Sequence, residues 1–238
     1  MLSIDRQRST RSIAVGLPLY NHIRNSYDDC YRKTVSTHSM KDSTQPKTTR
    51  DAILDATDLL LARSGYKKMT IDDLAREVGI GKGSVYLHFP SKEEIALSHI
   101  DRIIDRLKHK LHKVSGESMA PPEKLAKMLS TRVLFRFDSI QHYSQSLNEL
   151  LGYLRPQLLD RRRKYFEEEA KILAQVVSEG QTTGDFIDGD PLDMARTLVI
   201  ATNSLLPYSL SAFELGDRKI LTKTTKKLAD LLIRGLSA

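Results

Sequence analysis

The stretch VGIGKGSVYLHF, residues 78–89, sets Gly79, Gly81 and Gly83 around Lys82. Glycines beside a lysine are the ingredients of a phosphate cradle, in which backbone N–H groups and one ammonium surround an anion. The spacing argues against that chemistry. A Gly-x4-Gly-Lys-Ser/Thr loop ending at Gly81-Lys82 needs glycine at position 76 and a hydroxyl at 83, where Arg76 and Gly83 stand. A dinucleotide fingerprint begun at Gly79-x-Gly81 needs Gly or Ala at 84, which is Ser84. Both motifs also require a β-strand directly before the loop. What precedes residue 78 must decide.

Other constellations carry less. His109 and His112 stand at i, i+3, but two ligands fall short of a zinc set and no third follows at a fitting spacing. The segment DFIDGDPLD (Asp185 to Asp193) resembles a calcium loop without its bidentate glutamate, and Asp190-Pro191 reads as N-cap then N1. Arg132 and Arg136 lie one helical turn apart, either to clamp an anionic effector or, the commoner fate, to sit on a salt-bridged or solvated face. In DRRRKYFEEEA the positive block precedes the negative one, predicting pairs Arg163–Glu167 and Lys164–Glu168 on a solvated helix. No local motif assembles nucleophile, base and orienter. The expectation is a protein that is not an enzyme, with no catalytic residues, no metal and no cofactor.

The chain has 238 residues, enough for one or two domains with real cores. Tryptophan is absent, and glycine and proline number only 12 and 8, which favours helices over a turn-rich β fold. Cys30 is the one cysteine, which excludes a disulfide framework or a cysteine-based zinc site within one chain. No run approaches the roughly 18 apolar residues that span a bilayer. The stretch Ile13 to Tyr20 follows Arg6, Arg8 and Arg11 like a leader, but Pro18 interrupts it and no small-residue cleavage site follows. A cytoplasmic location without membrane contact is the default. The net charge of +7 points only weakly to polyanions, because it is spread along the chain.

Residues 1–46 show no sustained period and are expected to form a disordered arm; Met40 would serve as an alternative start. Order begins near Thr48. Ile53, Ala56, Leu60 and Leu61 recur at helical spacing, with Thr49 as the expected N-cap and Gly65 as the stop. Thr70 and Asp73 then open a short helix whose buried stripe is Ile71, Leu74, Ala75 and Val78. A helix here removes the strand that a phosphate loop needs. Gly79 turns the chain, and a second short helix runs from Lys82 to about Leu87 with Val85 inward. Two short helices across a glycine turn make a helix-turn-helix. The glycines and lysine of the opening stretch therefore point to DNA.

A helix capped by Ser91, with Glu94 closing its box, follows Pro90 and carries one apolar stripe, Ala96, Ile100, Ile103, Leu107, Leu111 and Val114. It is long enough to leave the small N-terminal unit. Helices are expected at about 122–138, 144–155, 160–179, 191–213 and 218–235, with breaks at 115–116, His142, Pro156, EGQTTGDFIDGDP and 215–217. The last two are apolar over wide faces: Met194, Leu198, Ala201, Leu205 and Tyr208, then Leu221, Leu228, Leu231 and Leu232. Helices apolar on more than one side want a second partner.

The segment from Lys47 to Leu107 resembles the DNA-binding domain of TetR-family transcriptional regulators. The residues that carry it are Ala52-Ile53, Ala56, Leu60, Gly65, Thr70, Ile71, Ala75 and Gly79, and above all KGSVYLHFPSKEEI from Lys82 to Ile95. The rest resembles the family in being all-helical, with a GDF turn (Gly184 to Phe186) before two long helices. The resemblance implies an all-α chain: a three-helix helix-turn-helix DNA-binding domain over 47–107, motif 70–89, then a larger effector-binding and dimerisation domain over 108–238. It implies a homodimeric regulator, in all expectation a repressor, that binds a palindromic double-stranded operator and an unidentified small-molecule effector, and pairs through its last two helices. Lys82, Gly83, Ser84 and Tyr86 would lie at base edges, and Thr70, His88 and Lys92 at phosphates, the last two flanking the helix that opens at Ser91. Lys47 and Arg50 would reach the backbone or minor groove. Tyr86 is expected to face DNA and Phe89 to lie in the core. The effector-binding residues are not identified by any motif.

Overall fold

The computed structural model describes residues 48–140, 144–206 and 217–238. The expected arm over 1–46, Met40, Lys47, the break at His142 and Tyr208 lie outside the described residues.

Three helices come first, α1 (Thr49–Lys68) and the two short ones α2 (Ile71–Val78) and α3 (Lys82–His88). The cap of α1 is Thr48, not Thr49: the Thr48 hydroxyl accepts from Asp51 N while the Asp51 carboxylate accepts from Thr48 N, so both members of the box are engaged. Thr49 has no acidic residue three positions on, whereas Thr48 has Asp51, and the reciprocal pair selects the earlier start. Gly65 does break the helical backbone (φ 80°, ψ 166°), but a further turn reaches Lys68. Thr70 and Asp73 form the expected box at the start of α2. Gly79 closes α2 in the left-handed region (φ 76°), which a side chain would disfavour.

Next comes α4 (Lys92–Ser115), capped by Ser91, whose hydroxyl accepts from Glu94 N. Glu94 does not close the box as expected. Its carboxylate instead accepts from Arg161 Nη2 at 2.9 and 3.0 Å and from Ser98. A charged guanidinium outbids a neutral backbone N–H for the same oxygens. Beyond α4 lie α5 (Pro121–Ile140), α6 (Ser144–Thr183), α7 (Pro191–Asn203) and α8 (Arg218–Leu236). The only β contact among the described residues is an isolated bridge between Phe186 and Ser237.

The break expected at Pro156 is absent, and α6 runs through it for 40 residues. Proline inside a helix removes one hydrogen bond and crowds the carbonyl four residues back. Here that residue is Gly152, and both Gly152 and Pro156 are exposed, so water can serve the carbonyl. Leu154 and Leu158 on the opposite face are buried and hold the helix to its course. Asp190 caps α7 through Leu192 N with Pro191 in the first turn, which is the capping role expected of the DFIDGDPLD segment.

Burial explains how the elements meet. One core joins Ile53, Leu54, Leu61, Leu74, Val85 and Phe89 to Ile95 through Ile104 of α4 and to Leu154 and Leu158 of α6. A second joins Leu107, Leu111 and Val114 of α4 to α5, α6, α7 and α8 through residues such as Leu129, Val176, Leu198 and Ile233. The stripe of α4 thus serves both.

A polar cluster ties α5, α6 and α7 beside the second core. Arg132, Arg136 and Glu169 are at most 2% exposed. Arg132 donates through Nε to Glu169 Oε2 at 2.6 Å, through Nη1 to Thr202 Oγ1 at 2.7 Å and through Nη2 to Asn203. Arg136 pairs with Glu169 Oε1 and lies 3.1 Å from Oε2. Of the two fates open to Arg132 and Arg136, the salt bridge prevails, and it is buried. Burial alone would raise the Glu169 carboxyl, but the guanidiniums of Arg136 and Arg132 overcome it and hold the group below its usual value. Burial likewise brings Arg132 down to about 10, which leaves it charged at neutral pH.

Of the expected pairs along α6, Lys164–Glu168 forms at 3.9 Å, while Glu167 pairs across helices with Arg196 at 2.7 Å rather than with Arg163. His109 directs Nδ1 to the carbonyl of Asp105, one turn back.

Glu169→Gln should cost about 3–5 kcal/mol in urea unfolding at neutral pH, because it leaves two buried guanidiniums without their counter-charge. Glu169 has a depressed pKa in the folded state, so its contribution is complete above about pH 4.3 and is lost as pH falls through the lower folded value. The gap between parent and variant should therefore close only in that acid range; a gap under about 1 kcal/mol at pH 7 would mean the pair gives no net stabilisation.

Candidate nucleic-acid interface

The helix pair α2–α3 presents a surface fixed from behind. Val85 is fully buried and Phe89 nearly so, and both pack on the core made by α1, α2 and α4. With Val85 inward, the helical period turns Gly83 and Leu87 outward and Tyr86 to the side, Lys82 opens the helix at its solvent end, and all four are exposed. Tyr86 is 48% exposed, and Phe89 belongs to the core, as expected. Ser84 is half-buried, and His88 ends the helix in solvent.

Leu87 was not singled out from the sequence, yet it is 85% exposed, the most exposed large apolar side chain among the described residues. The signal was available in its phase two residues after Val85. An apolar group on such a surface suits the methyl of thymine.

Gly83 stands in open space: a methyl added there would meet nothing within 4 Å. Its want of a side chain therefore serves no contact within the fold. It leaves the backbone of α3 bare on the face that turns outward.

Several of the polar side chains are engaged within the protein. Lys82 Nζ lies 2.9 Å from Asp72 Oδ2, a pair exposed on both sides. The Thr70 hydroxyl donates to Asp73 Oδ2 at 2.6 Å and accepts from Asp73 N. Lys92 is half-buried: its ammonium sits 4.4 Å from the Tyr66 ring centre and 3.4 Å from the Lys67 carbonyl. Burial lowers its pKa, opposed by Glu93. Arg50 stacks on Phe89 with its guanidinium carbon 4.9 Å from the ring centre. Lys82, Gly83, Ser84, Tyr86 and His88 thus lie on α3, while Thr70 caps α2 and Lys92 opens α4.

No helix among the described residues is long and apolar enough to cross a membrane. Fold and exposed helix define a helix-turn-helix protein that regulates transcription by binding DNA. Residues 53–98 match the family model for bacterial regulatory proteins of the tetR family. The matched residues take in the helix-turn-helix and its flanking helices, so the chain carries a TetR-type DNA-binding segment. It is 24% identical over 188 residues to the fatty acid metabolism regulator protein of Bacillus subtilis, covering 77% of this chain and 93% of that one. It is 27% identical over 149 residues to the HTH-type transcriptional repressor KstR2 of Mycolicibacterium smegmatis, covering 60% and 69%. The crystal structure of the regulator FadR from Bacillus subtilis in complex with stearoyl-CoA superposes with a TM-score of 0.59 at 21% identity, over 78% of this chain and 98% of that one.

Gly83→Ala should leave the thermal midpoint unchanged or slightly raised, since alanine favours a helix by up to about 1 kcal/mol over glycine. Operator affinity should nevertheless fall about tenfold or more, read by fluorescence anisotropy, because the added methyl meets the DNA. Unchanged affinity would show that the backbone of α3 does not approach the bases.

Proposed function

We propose that the chain is a homodimeric repressor whose operator binding is set by a small molecule held in its larger helical part. The observation that carries the DNA-reading half is the outward face of α3, braced from behind by Val85 and Phe89 and bare at Gly83. Residues 47–107 would read DNA and residues 108–238 would bind the effector and pair the protomers. Lys82, Gly83, Ser84 and Tyr86 would meet base edges, with Leu87 beside them, and Thr70, His88 and Lys92 would meet phosphates. To reach DNA, Lys82 must leave Asp72 and Lys92 must leave the Tyr66 ring, so each contact replaces one already made.

Support for pairing comes from the last two described helices. Leu198 and Leu221 of the two wide apolar faces are spent inside this protomer, at 2% exposure each. Ile200 on α7 and Leu231 on α8 remain 68% and 67% exposed. A two-fold dimer would bury such groups and place two α3 helices at half-sites about 34–36 Å apart. Support for an effector comes from the relative FadR, whose structure holds stearoyl-CoA.

The regulator is tested by a salt-dependent gel shift on the DNA upstream of its own gene, with random DNA as control. Lys92→Ala should weaken both targets alike and lower the salt slope by about one unit. Tyr86→Ala should cost about 1–3 kcal/mol, chiefly on the operator. Equal losses on both DNAs from both variants would contradict base reading by Tyr86.

Leu231→Glu changes an exposed side chain and should leave helicity intact. It should run as a monomer in sedimentation and bind the palindrome far more weakly, because one α3 reads only a half-site and the second reader acts through effective concentration. A folded variant that stays dimeric would place the contact elsewhere.

A further inference from the structure

The helix-turn-helix is short of positive charge for an element proposed to meet DNA. Residues 70–89 hold Asp72, Asp73 and Glu77 against Arg76 and Lys82, a net charge of −1 with His88 neutral. Arg76 is engaged by Asp73 at 3.3 Å. Lys82, the one lysine or arginine on α3, is engaged by Asp72, whose Oδ2 lies 2.9 Å from its Nζ across the glycine turn. The hydrogen bond and the charge of Asp72 raise the Lys82 pKa. Affinity for duplex DNA of any sequence comes from cations that displace counterions at phosphates. Asp72 subtracts from that attraction.

Stability does not account for Asp72. Both members of the pair are more than half exposed, and exposed pairs add little to folding. The start of α2 is served by the neighbouring acid, since Asp73 closes the capping box with Thr70. A carboxylate on an outward surface has one further use, as acceptor for a donor on a base edge. Once Lys82 turns to DNA, Asp72 loses its partner. A phosphate takes the ammonium but repels the carboxylate left behind. A G·C pair takes both. Its major-groove edge presents guanine N7 and O6 as acceptors for lysine, and beside them the cytosine N4–H as a donor for aspartate. Guanine O6 and cytosine N4 are joined by an N–H···O bond, so they stand about 2.9–3.0 Å apart. That matches the Nζ–Oδ2 separation of the pair. An A·T edge runs acceptor, donor, acceptor, and nowhere sets two neighbouring acceptors beside a donor.

We infer that Asp72 and Lys82 together read one G·C base pair in each half-site, Lys82 donating to guanine and Asp72 accepting from cytosine N4. Asp72 is thus a specificity-determining residue, and in the absence of that base pair it withholds Lys82 from phosphates. The inference rests on the reading of α3 as the element that enters the major groove.

The test selects bound duplexes from a fully randomised DNA pool with the full chain, Asp72→Ala, Lys82→Ala and the double variant, and sequences them. Affinity for one fixed random duplex is measured beside it across a salt series, after circular dichroism has matched each variant to the parent. The parent should favour G·C over A·T by about tenfold at one position of each half-site. Asp72→Ala should cut that preference at least about threefold, Lys82→Ala should remove it, and the double variant should match Lys82→Ala, because the two groups read as a unit. Asp72→Ala should also bind the random duplex about fivefold more tightly at about 0.15 M salt, with a salt slope steeper by about 0.9, as one more cation reaches a phosphate. A base preference that responds to Lys82→Ala alone, or no G·C position that responds to either, would overturn the assignment and leave the regulator reading intact. Tighter binding of random DNA with an unchanged selected sequence would reduce Asp72 to a tether and overturn it equally. A parent chain that enriches no sequence at all would refute the DNA-reading function itself.

Discussion

The apolar stripe of α4 is the constraint on which the rest depends. Its first half, Ile95 to Ile104, closes the core under the helix-turn-helix, and its second half, Leu107 to Val114, lies in the core of the following helices. A helix repeats its face every 3.6 residues, so a stripe this long fixes both cores to one rigid axis. Neither core can be repacked without moving the rod that the other holds. The outward face of α3 is positioned through that rod, because Phe89 and Ile95 pack in the same cluster on either side of the Ser91 cap.

The larger part of the chain holds its helices together by two unlike means. Apolar side chains fill the centre, while Arg132, Arg136 and Glu169 occupy a fully buried polar patch between α5, α6 and α7. Buried ion pairs often add little net stability against apolar substitutes, and their geometry is what distinguishes them. Here the planar forks of two arginines fix the rotation of α5 against α6, and Thr202 and Asn203 fix α7 to the same group. Among the described residues these three side chains carry a net charge of +1. A fold optimised for stability alone would neutralise it.

On the exposed side of α2, α3 and the start of α4, the polar groups already have partners. Lys82 is satisfied by Asp72, Lys92 by an aromatic ring and a carbonyl, and Thr70 by its capping partner. Exchange of one partner for another gives small net energies, in contrast to an unpaired cation set that would grip any phosphate backbone. If this face reads DNA as proposed, Tyr86, Leu87 and the bare backbone at Gly83 are left to discriminate alongside the Lys82–Asp72 pair.

The sequence by itself determined the short-range features. Caps at Thr70 and Ser91, the left-handed Gly79, the inward Val85 and Phe89 and the all-helical content follow from patterns within about five residues, where propensity and hydrogen-bond geometry act directly. The string from Lys82 to Ile95 made the short helix α3 legible to within a residue of its end. Tertiary structure decided the rest, because it turned on partners far along the chain. Pro156 reads as a break locally, but Leu154 and Leu158 on the buried face carry α6 through it. Glu94 reads as a box residue until Arg161, 67 positions away, takes its carboxylate. Glu167 leaves its neighbour Arg163 for Arg196 on another helix. Arg132 and Arg136 look alike at one turn's spacing; only the approach of Glu169 and α7 satisfies the first and leaves one nitrogen of the second unmet.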